Sequence, residues 1–276
     1  MGYIAARDLD EALTVLAAEP VSIIAGGTDW FPAQGDRHFD GTLLDISRIA
    51  GLKGITRDGQ GWRIGAATTW TDIVRADLPN AFDGLKQAAR EVGSVQIQNT
   101  GTIAGNLCNA SPAADGVPPL LTLNASVELS SQSGTRELPL SDFLQGVRKT
   151  ARHPDEIVTA IRIPDVPAAA RSGFFKLGAR KYLVISICMV AVIVDVQDGT
   201  LQEVRIAVGA ASPVAQRLHS LEKALTGLSA EQVIEAVRPE LIADLSPITD
   251  VRATATYRQE AVAEVIRRAV TQAMEA

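Results

Sequence analysis

Two stretches of this chain combine glycines, hydroxyls and amides in a pattern suited to holding an anion. The first is Ile23-Ile24-Ala25-Gly26-Gly27-Thr28-Asp29-Trp30. Paired glycines behind a short apolar run let the backbone turn sharply and bring several N–H groups to one point, and Thr28 adds a hydroxyl donor. A nucleotide diphosphate needs many such weak donors to replace its water. Taken alone, a glycine pair after a strand is more often only a tight turn, because glycine is the usual turn residue.

The second stretch is Asn99-Thr100-Gly101-Thr102-Ile103-Ala104-Gly105-Asn106-Leu107-Cys108-Asn109-Ala110-Ser111-Pro112-Ala113-Ala114-Asp115. It carries no charge until Asp115 and threads Ile103 and Leu107 among its polar residues, whereas an exposed loop normally holds more Lys and Glu. Small polar residues dominate residues 93–119, which reads as a poor core and a poor regular helix with backbone free to face a ligand. Buried polar groups require partners, and a large heteroaromatic cofactor supplies them. A long irregular segment of this kind is more often functional than a plain surface loop.

Other chemistries lack their residues. There is no GxGxxG and no phosphate-loop motif. Gly59-Gln60-Gly61-Trp62-Arg63-Ile64-Gly65 is one residue too long and runs into a strand instead of a helix, so it reads as a turn. His38, His153 and His219 have no Cys or Asp pattern around them that would hold zinc, and no residue has the setting of a catalytic nucleophile. Cys108 and Cys188 are far apart and form neither a disulfide framework nor a metal site.

The elements that must carry these stretches follow from periodicity. Asp8-Leu9-Asp10-Glu11 opens a capped helix ended by Pro20, and residues 21–25 form a buried strand leading into Gly26. Strands are expected at 42–46, 62–66, 125–130 and 157–163, with a helix over 85–92. Residues 165–170, with Pro167 and neighbouring Pro164, are the best linker. Beyond it, strands at 187–196 and 201–208 join around Asp198-Gly199, a strong hairpin signal, and helices follow near 215–225, 230–237 and 257–274.

At 276 residues the chain holds one large domain or two to three smaller ones, with 46% hydrophobic and 21% charged residues. Aromatics make up only 4%, so the cores rest on Ala, Val, Ile and Leu, and a net charge of −6 with no basic face argues against nucleic acid. The apolar run at 183–194 is interrupted by Ser186 and too short to span a bilayer, and the N-terminus lacks the order of a signal peptide. These features, with two unpaired cysteines, point to the cytoplasm.

Three segments together resemble one family, the flavoprotein subunits of xanthine dehydrogenase and carbon monoxide dehydrogenase type molybdenum hydroxylases. They are Ala25-Gly26-Gly27-Thr28-Asp29; Thr100-Gly101-Thr102-Ile103-Ala104-Gly105-Asn106 with Ala110-Ser111-Pro112-Ala113-Ala114-Asp115; and Phe174-Phe175-Lys176-Leu177-Gly178-Ala179-Arg180. Lesser matches are Leu44-Asp45-Ile46-Ser47-Arg48-Ile49 and Asp155-Glu156-Ile157-Val158-Thr159-Ala160-Ile161. The resemblance covers nearly the whole chain. It implies an α+β protein: an FAD-binding domain over 1–168, of the vanillyl-alcohol-oxidase/PCMH type, with two α/β subdomains (roughly 1–52 and 53–168), then a smaller α+β domain over 171–276.

The same resemblance assigns residues. Ile24, Ala25, Gly26, Gly27, Thr28, Asp29 and Trp30 would serve the pyrophosphate and ribityl chain of FAD, Gly101, Thr102, Gly105 and Asn106 the phosphate and flavin side, and Asp115 a sugar hydroxyl. Val158 and Lys176 would line the adenine, the lysine stem along the purine with its head in water. Val92 and Ile185 would sit beside the isoalloxazine. Val92 stands where some relatives have an aromatic residue and Val184 where some have an acidic one, which leaves the electron acceptor open. The residues that bind an iron–sulfur cluster in a few relatives are absent.

The implied role is electron transfer without a catalytic residue in this chain. A large partner subunit would carry molybdopterin and hydroxylate the substrate, a small one two [2Fe–2S] clusters, and FAD here would discharge to NAD, oxygen or a carrier. A dimer of heterotrimers is the implied assembly. Two rivals stand beside this reading: a free-standing flavin oxidase or reductase, which would want a catalytic Tyr, His or Cys near the ring, and a cofactor-less interaction subunit, against which the intact glycines and Asp115 argue.

Overall fold

The computed structural model describes residues 2–275 and builds three main sheets in succession. The first holds β1 (Gly2–Ala5), β2 (Val21–Ile24) and β3 (Thr42–Asp45), all parallel in the order β1-β3-β2. Parallel strands need a crossover, and helix α1 (Leu9–Ala18) supplies the one from β1 to β2, which leaves room for β3 between them. The Asp8 side chain accepts from Glu11 N–H to start α1, and Ala12, Leu13 and Leu16 bury one face against Leu44 and Ile46. Out of β2 the chain turns through Gly26 and Gly27 into the short helix α2 (Trp30–Gln34).

The second sheet is antiparallel, in the order β4-β5-β10-β6-β7, from β4 (Ile55–Asp58), β5 (Gly61–Gly65), β6 (Ser126–Ser131), β7 (Gly134–Pro139) and β10 (Ile157–Ile163). In register, Ile161 of β10 stands between Ile64 and Val127. Helices α3 (Trp70–Arg75), α4 (Asp83–Glu91), α5 (Val95–Thr100), α6 (Ile103–Asn109) and α7 (Val117–Thr122) lie between β5 and β6 in the chain. Short α8 (Leu140–Phe143) and the small ribbon β8 (Leu144–Gly146) with β9 (Lys149–Thr150) complete this part, whose core includes Trp70, Phe82, Leu107 and Phe143.

The polar stretch expected to be irregular is instead folded into α5 and α6. Two of its hydroxyl residues occupy caps: Ser94 accepts from Ile97 N–H and Thr102 from Gly105 N–H. Residues that compete with the backbone inside a helix satisfy it at an end, and two helices of six and seven residues offer many ends.

The third sheet, β11-β12-β13-β14, is antiparallel: β11 (Arg171–Leu177), β12 (Cys188–Gln197), β13 (Thr200–Gly209) and β14 (Gln216–Arg217). The β12–β13 hairpin turns at Asp198 and Gly199 with φ of 50° and 75°, the left-handed pair a two-residue turn requires. Helices α9 (His219–Leu225), α10 (Ala230–Ala236) and α11 (Ala255–Glu275) cover one face. The expected helix over 215–225 starts only at His219, because Gln216 and Arg217 pair with Val208 and Ala207 of β13. Strand β12 is apolar on both sides: Cys188, Val190 and Val192 meet the helices, while Met189 and Ala191 meet Phe174 and Ala88 of α4. Burial on both faces explains the unbroken apolar run.

Candidate functional site

The two glycine-bearing stretches meet. A Cβ on Gly26 would lie 2.0 Å from the Thr100 carbonyl oxygen and 3.0 Å from Gly101 Cα, so only a glycine lets these backbones touch. From the other side, a Cβ on Gly101 would be 3.3 Å from Thr28 Oγ1. Trp70, only 1% exposed, braces the junction from below: its N–H donates to the Gly101 carbonyl at 3.2 Å, and its ring leaves no room for a Cβ on Gly116.

Above this junction opens a cleft of about 980 Å³, toward the upper end of roughly 300–1,000 Å³ for small-molecule sites. Its walls include the 23–30 turn, α5 and α6 with Gly101, Thr102, Gly105 and Asn106, the 111–115 loop, and from the third sheet Lys176 and the 183–185 loop. The structure thus gathers on one cleft Ile24, Ala25, Gly26, Gly27, Thr28, Asp29, Trp30, Val92, Gly101, Thr102, Gly105, Asn106, Asp115, Lys176 and Ile185.

Two features mark the cleft as built for a polar ligand. The N–H groups of Gly26, Gly27 and Thr28 have no acceptor among the described residues. By contrast, the first N–H groups of α6 are taken by protein: Ile103 donates to Thr68 O, Ala104 to Ala66 O and Gly105 to Thr102 Oγ1. The open donors therefore belong to the glycine turn. Second, Asn106 Oδ1 is buried with no hydrogen-bond partner among the described residues. An unpaired buried acceptor costs about 1–3 kcal/mol, a cost that a donor on a ligand removes. At Gly105 a side chain would meet only Thr102 Oγ1 and otherwise project into open space, so glycine keeps the floor clear.

Val158 is the exception among the expected residues. It is 4% exposed, packs in the core of the second sheet and does not line the cleft. It sits on β10, the central strand, whose side chains are covered by neighbours on both faces. Lys176 also departs from expectation: its side chain is 6% exposed and its ammonium is not in water. Nζ donates to Asp115 Oδ2 at 2.9 Å and to the Glu91 carbonyl at 3.3 Å, tying β11 to the end of α4 and to the cleft wall. Ser186 Oγ donates to Asp115 Oδ1 at 3.3 Å. Burial pushes the Asp115 carboxyl up to about 6 even though Lys176 and Ser186 pull it down.

Sequence reasoning missed Trp70 and Arg148 as cleft residues. Trp70 had a signal: it is one of three tryptophans and directly follows Thr69, whose hydroxyl accepts from Asp72 N–H to cap α3. Arg148, which donates to the Asn109 carbonyl at 3.2 Å from a left-handed backbone position, had none.

Comparison with known proteins agrees with this geometry. The family model described as the FAD binding domain in molybdopterin dehydrogenase matches residues 1–166, and that of the CO dehydrogenase flavoprotein C-terminal domain matches residues 173–273. A putative xanthine dehydrogenase FAD-binding subunit of Escherichia coli is 31% identical over 282 residues, covering 99% of this chain and 96% of the relative. The nicotinate dehydrogenase FAD-subunit of Eubacterium barkeri is 33% identical over 276 residues, covering 96% and 93%. In three dimensions, a chain of carbon monoxide dehydrogenase from Hydrogenophaga pseudoflava superposes with a TM-score of 0.91 at 28% identity, covering 99% of this chain and 96% of that one.

Proposed function

This chain belongs to the FAD-binding subunits of the molybdenum hydroxylases, and on that premise we propose that the cleft over the Gly26–Gly101 contact is the seat of its FAD. The carrying observation is the pairing of unclaimed N–H groups at Gly26, Gly27 and Thr28 with the unpartnered Asn106 Oδ1 in the same cleft. The turn binds the pyrophosphate through those donors, and Asn106 accepts from a polar edge of the cofactor. Asp115, held by Lys176 and Ser186, accepts from a sugar hydroxyl. Val92 and Ile185, both on the cleft wall, would sit beside the isoalloxazine. Bound flavin supplies electron storage between the [2Fe–2S] clusters of a partner subunit and an external acceptor.

The assembly is a multi-subunit oxidoreductase with a large molybdopterin subunit and a small [2Fe–2S] subunit beside this one. A dimer of heterotrimers, a cytoplasmic setting, an acceptor drawn from NAD, oxygen or a carrier, and a partition of the chain at residues 168–171 complete the reading. Among the described residues no helix is long and apolar enough to cross a membrane.

The test is flavin content. The full chain, expressed with its partner subunits, is expected to hold one FAD per copy. Asn106→Ala removes the amide that meets the cofactor and lowers occupancy, with affinity reduced by about tenfold for one hydrogen bond of roughly 1–1.5 kcal/mol. Full occupancy and wild-type affinity in Asn106→Ala would remove Asn106 from the site, and colourless wild-type protein after reconstitution would refute the assignment of the cleft.

A further inference from the structure

The third sheet contributes a wall to the cleft, and that wall is held from behind by a buried charge. Arg258, on α11 and 2% exposed, sends its guanidinium between the ends of β12 and β13. Its Nη1 donates to two carbonyls, those of Ile187 and of Ala210, the latter at 3.1 Å. Its Nη2 donates to Asp250 Oδ1 at 2.7 Å, while Nε is buried without a partner among the described residues. Asp250 is itself shaped for this: its carboxylate accepts from Arg252 and Ala253 N–H groups, and these bonds with Arg258 hold its pKa well below the usual carboxylate range.

A buried guanidinium with one donor unsatisfied is costly, and packing alone would be met by Leu or Met. What the charge does is fix two peptides, and each is one step from the cleft. The residue before Ile187 is Ser186, whose hydroxyl donates to Asp115 Oδ1, and the residue before that is Ile185 on the cleft wall. The Ala210 N–H donates to the Pro112 carbonyl at 2.9 Å, in the loop that carries Asp115. One guanidinium nitrogen thus clamps two of the routes by which the third sheet reaches the 111–115 loop, beside the Lys176–Asp115 ion pair.

We infer that Arg258 is a positioning residue for cofactor binding: oriented by Asp250, it locks the 183–187 and 111–115 segments together so that Asp115 and Ile185 meet the cofactor in one geometry. The inference rests on FAD occupying this cleft.

The experiment compares wild type, Arg258→Met, Arg258→Lys and Asp250→Asn in the full chain with its partner subunits. For each, the melting temperature of the FAD-depleted form, the FAD dissociation constant and the visible circular dichroism of bound flavin are measured. Arg258→Met is expected to raise the dissociation constant by about tenfold or more, as two peptide anchors are lost, and to alter the flavin dichroism. Arg258→Lys, which keeps one charged donor but not the fork, should fall between. A lower melting temperature with wild-type affinity and dichroism in Arg258→Met would make the residue merely structural and overturn the inference. Should Arg258→Met fail to fold, Arg258→Lys and Asp250→Asn decide: unchanged affinity and dichroism in both overturn it, and weakened binding with altered dichroism upholds it. Failure of the wild type to bind FAD would instead sink the premise.

Discussion

Replacing Gly26 with alanine tests the contact on which the cleft is built. The new Cβ would stand 2.0 Å from the Thr100 carbonyl oxygen, 2.7 Å from its carbon and 3.0 Å from Gly101 Cα. Carbon–oxygen contacts settle at about 3.3 Å or more, so the two backbones must part by over ~1 Å, and neither is a flexible side chain end. Forced shifts of this kind cost about 1–3 kcal/mol, which in a chain of this length lowers the melting temperature by roughly 2–12 °C. The same displacement carries the open N–H groups out of register with a phosphate chain. Losing one hydrogen bond to a charged group costs about 1.5–3 kcal/mol, or about tenfold to more than a hundredfold in affinity.

Gly105→Ala is the matched contrast. Its Cβ meets only Thr102 Oγ1, at 2.8 Å, and otherwise enters the cleft. Helix propensity improves by about 1 kcal/mol, offset by a similar disturbance of the Thr102 cap, so stability should hold while FAD binding weakens. Scanning fluorimetry of the cofactor-free proteins and FAD titration followed by flavin fluorescence separate the two. Gly26→Ala with wild-type melting temperature and affinity would refute the reasoning, and full affinity in Gly105→Ala would show that the cofactor does not rest on α6.

Two further outcomes follow from particular residues. The folded-state Asp115 carboxyl titrates at about 6, above an unfolded value of about 3.9. The folded cofactor-free chain therefore binds the extra proton between these values, and its contribution to stability is present at acid pH and lost as pH rises through about 6. A sugar hydroxyl donating to the carboxylate favours the anion, so FAD affinity should fall as pH drops below about 6, and Asp115→Asn should flatten both profiles. An affinity independent of pH from about 5 to about 8, roughly three units spanning that titration, would contradict the role given to Asp115. In the β12–β13 hairpin, Gly199→Ala places a side chain at φ of 75° with open space around it. It should cost about 1–2 kcal/mol by chemical denaturation and leave FAD affinity unchanged, since the turn does not line the cleft. A shifted affinity would contradict that separation.

Much of the fold was legible locally. Asp8 capping α1, the Asp198-Gly199 turn and β10 at Ile157–Ile163 are decided by neighbours in the chain, and the structure has them where periodicity placed them. Strand β1 was not legible: Gly2–Ala5 is four residues long, and only pairing with Thr42–Asp45 makes it a strand. Nor was the helical state of residues 95–109, because composition counts hydroxyls without saying that two of them fall on caps.

The site divides in the same way. Glycine, threonine and asparagine at 26–28 and 101–106 announce a phosphate- and amide-binding surface by residue type alone, because only those types can provide close backbone approach and uncharged donors. That Gly26 touches Thr100, that Lys176 neutralises Asp115 instead of reaching water, that Val158 turns into the core, and that Arg258 stands behind the wall are facts of the packing. Each joins residues tens of positions apart, and no local preference reports on a contact that exists only once three sheets have closed on one another.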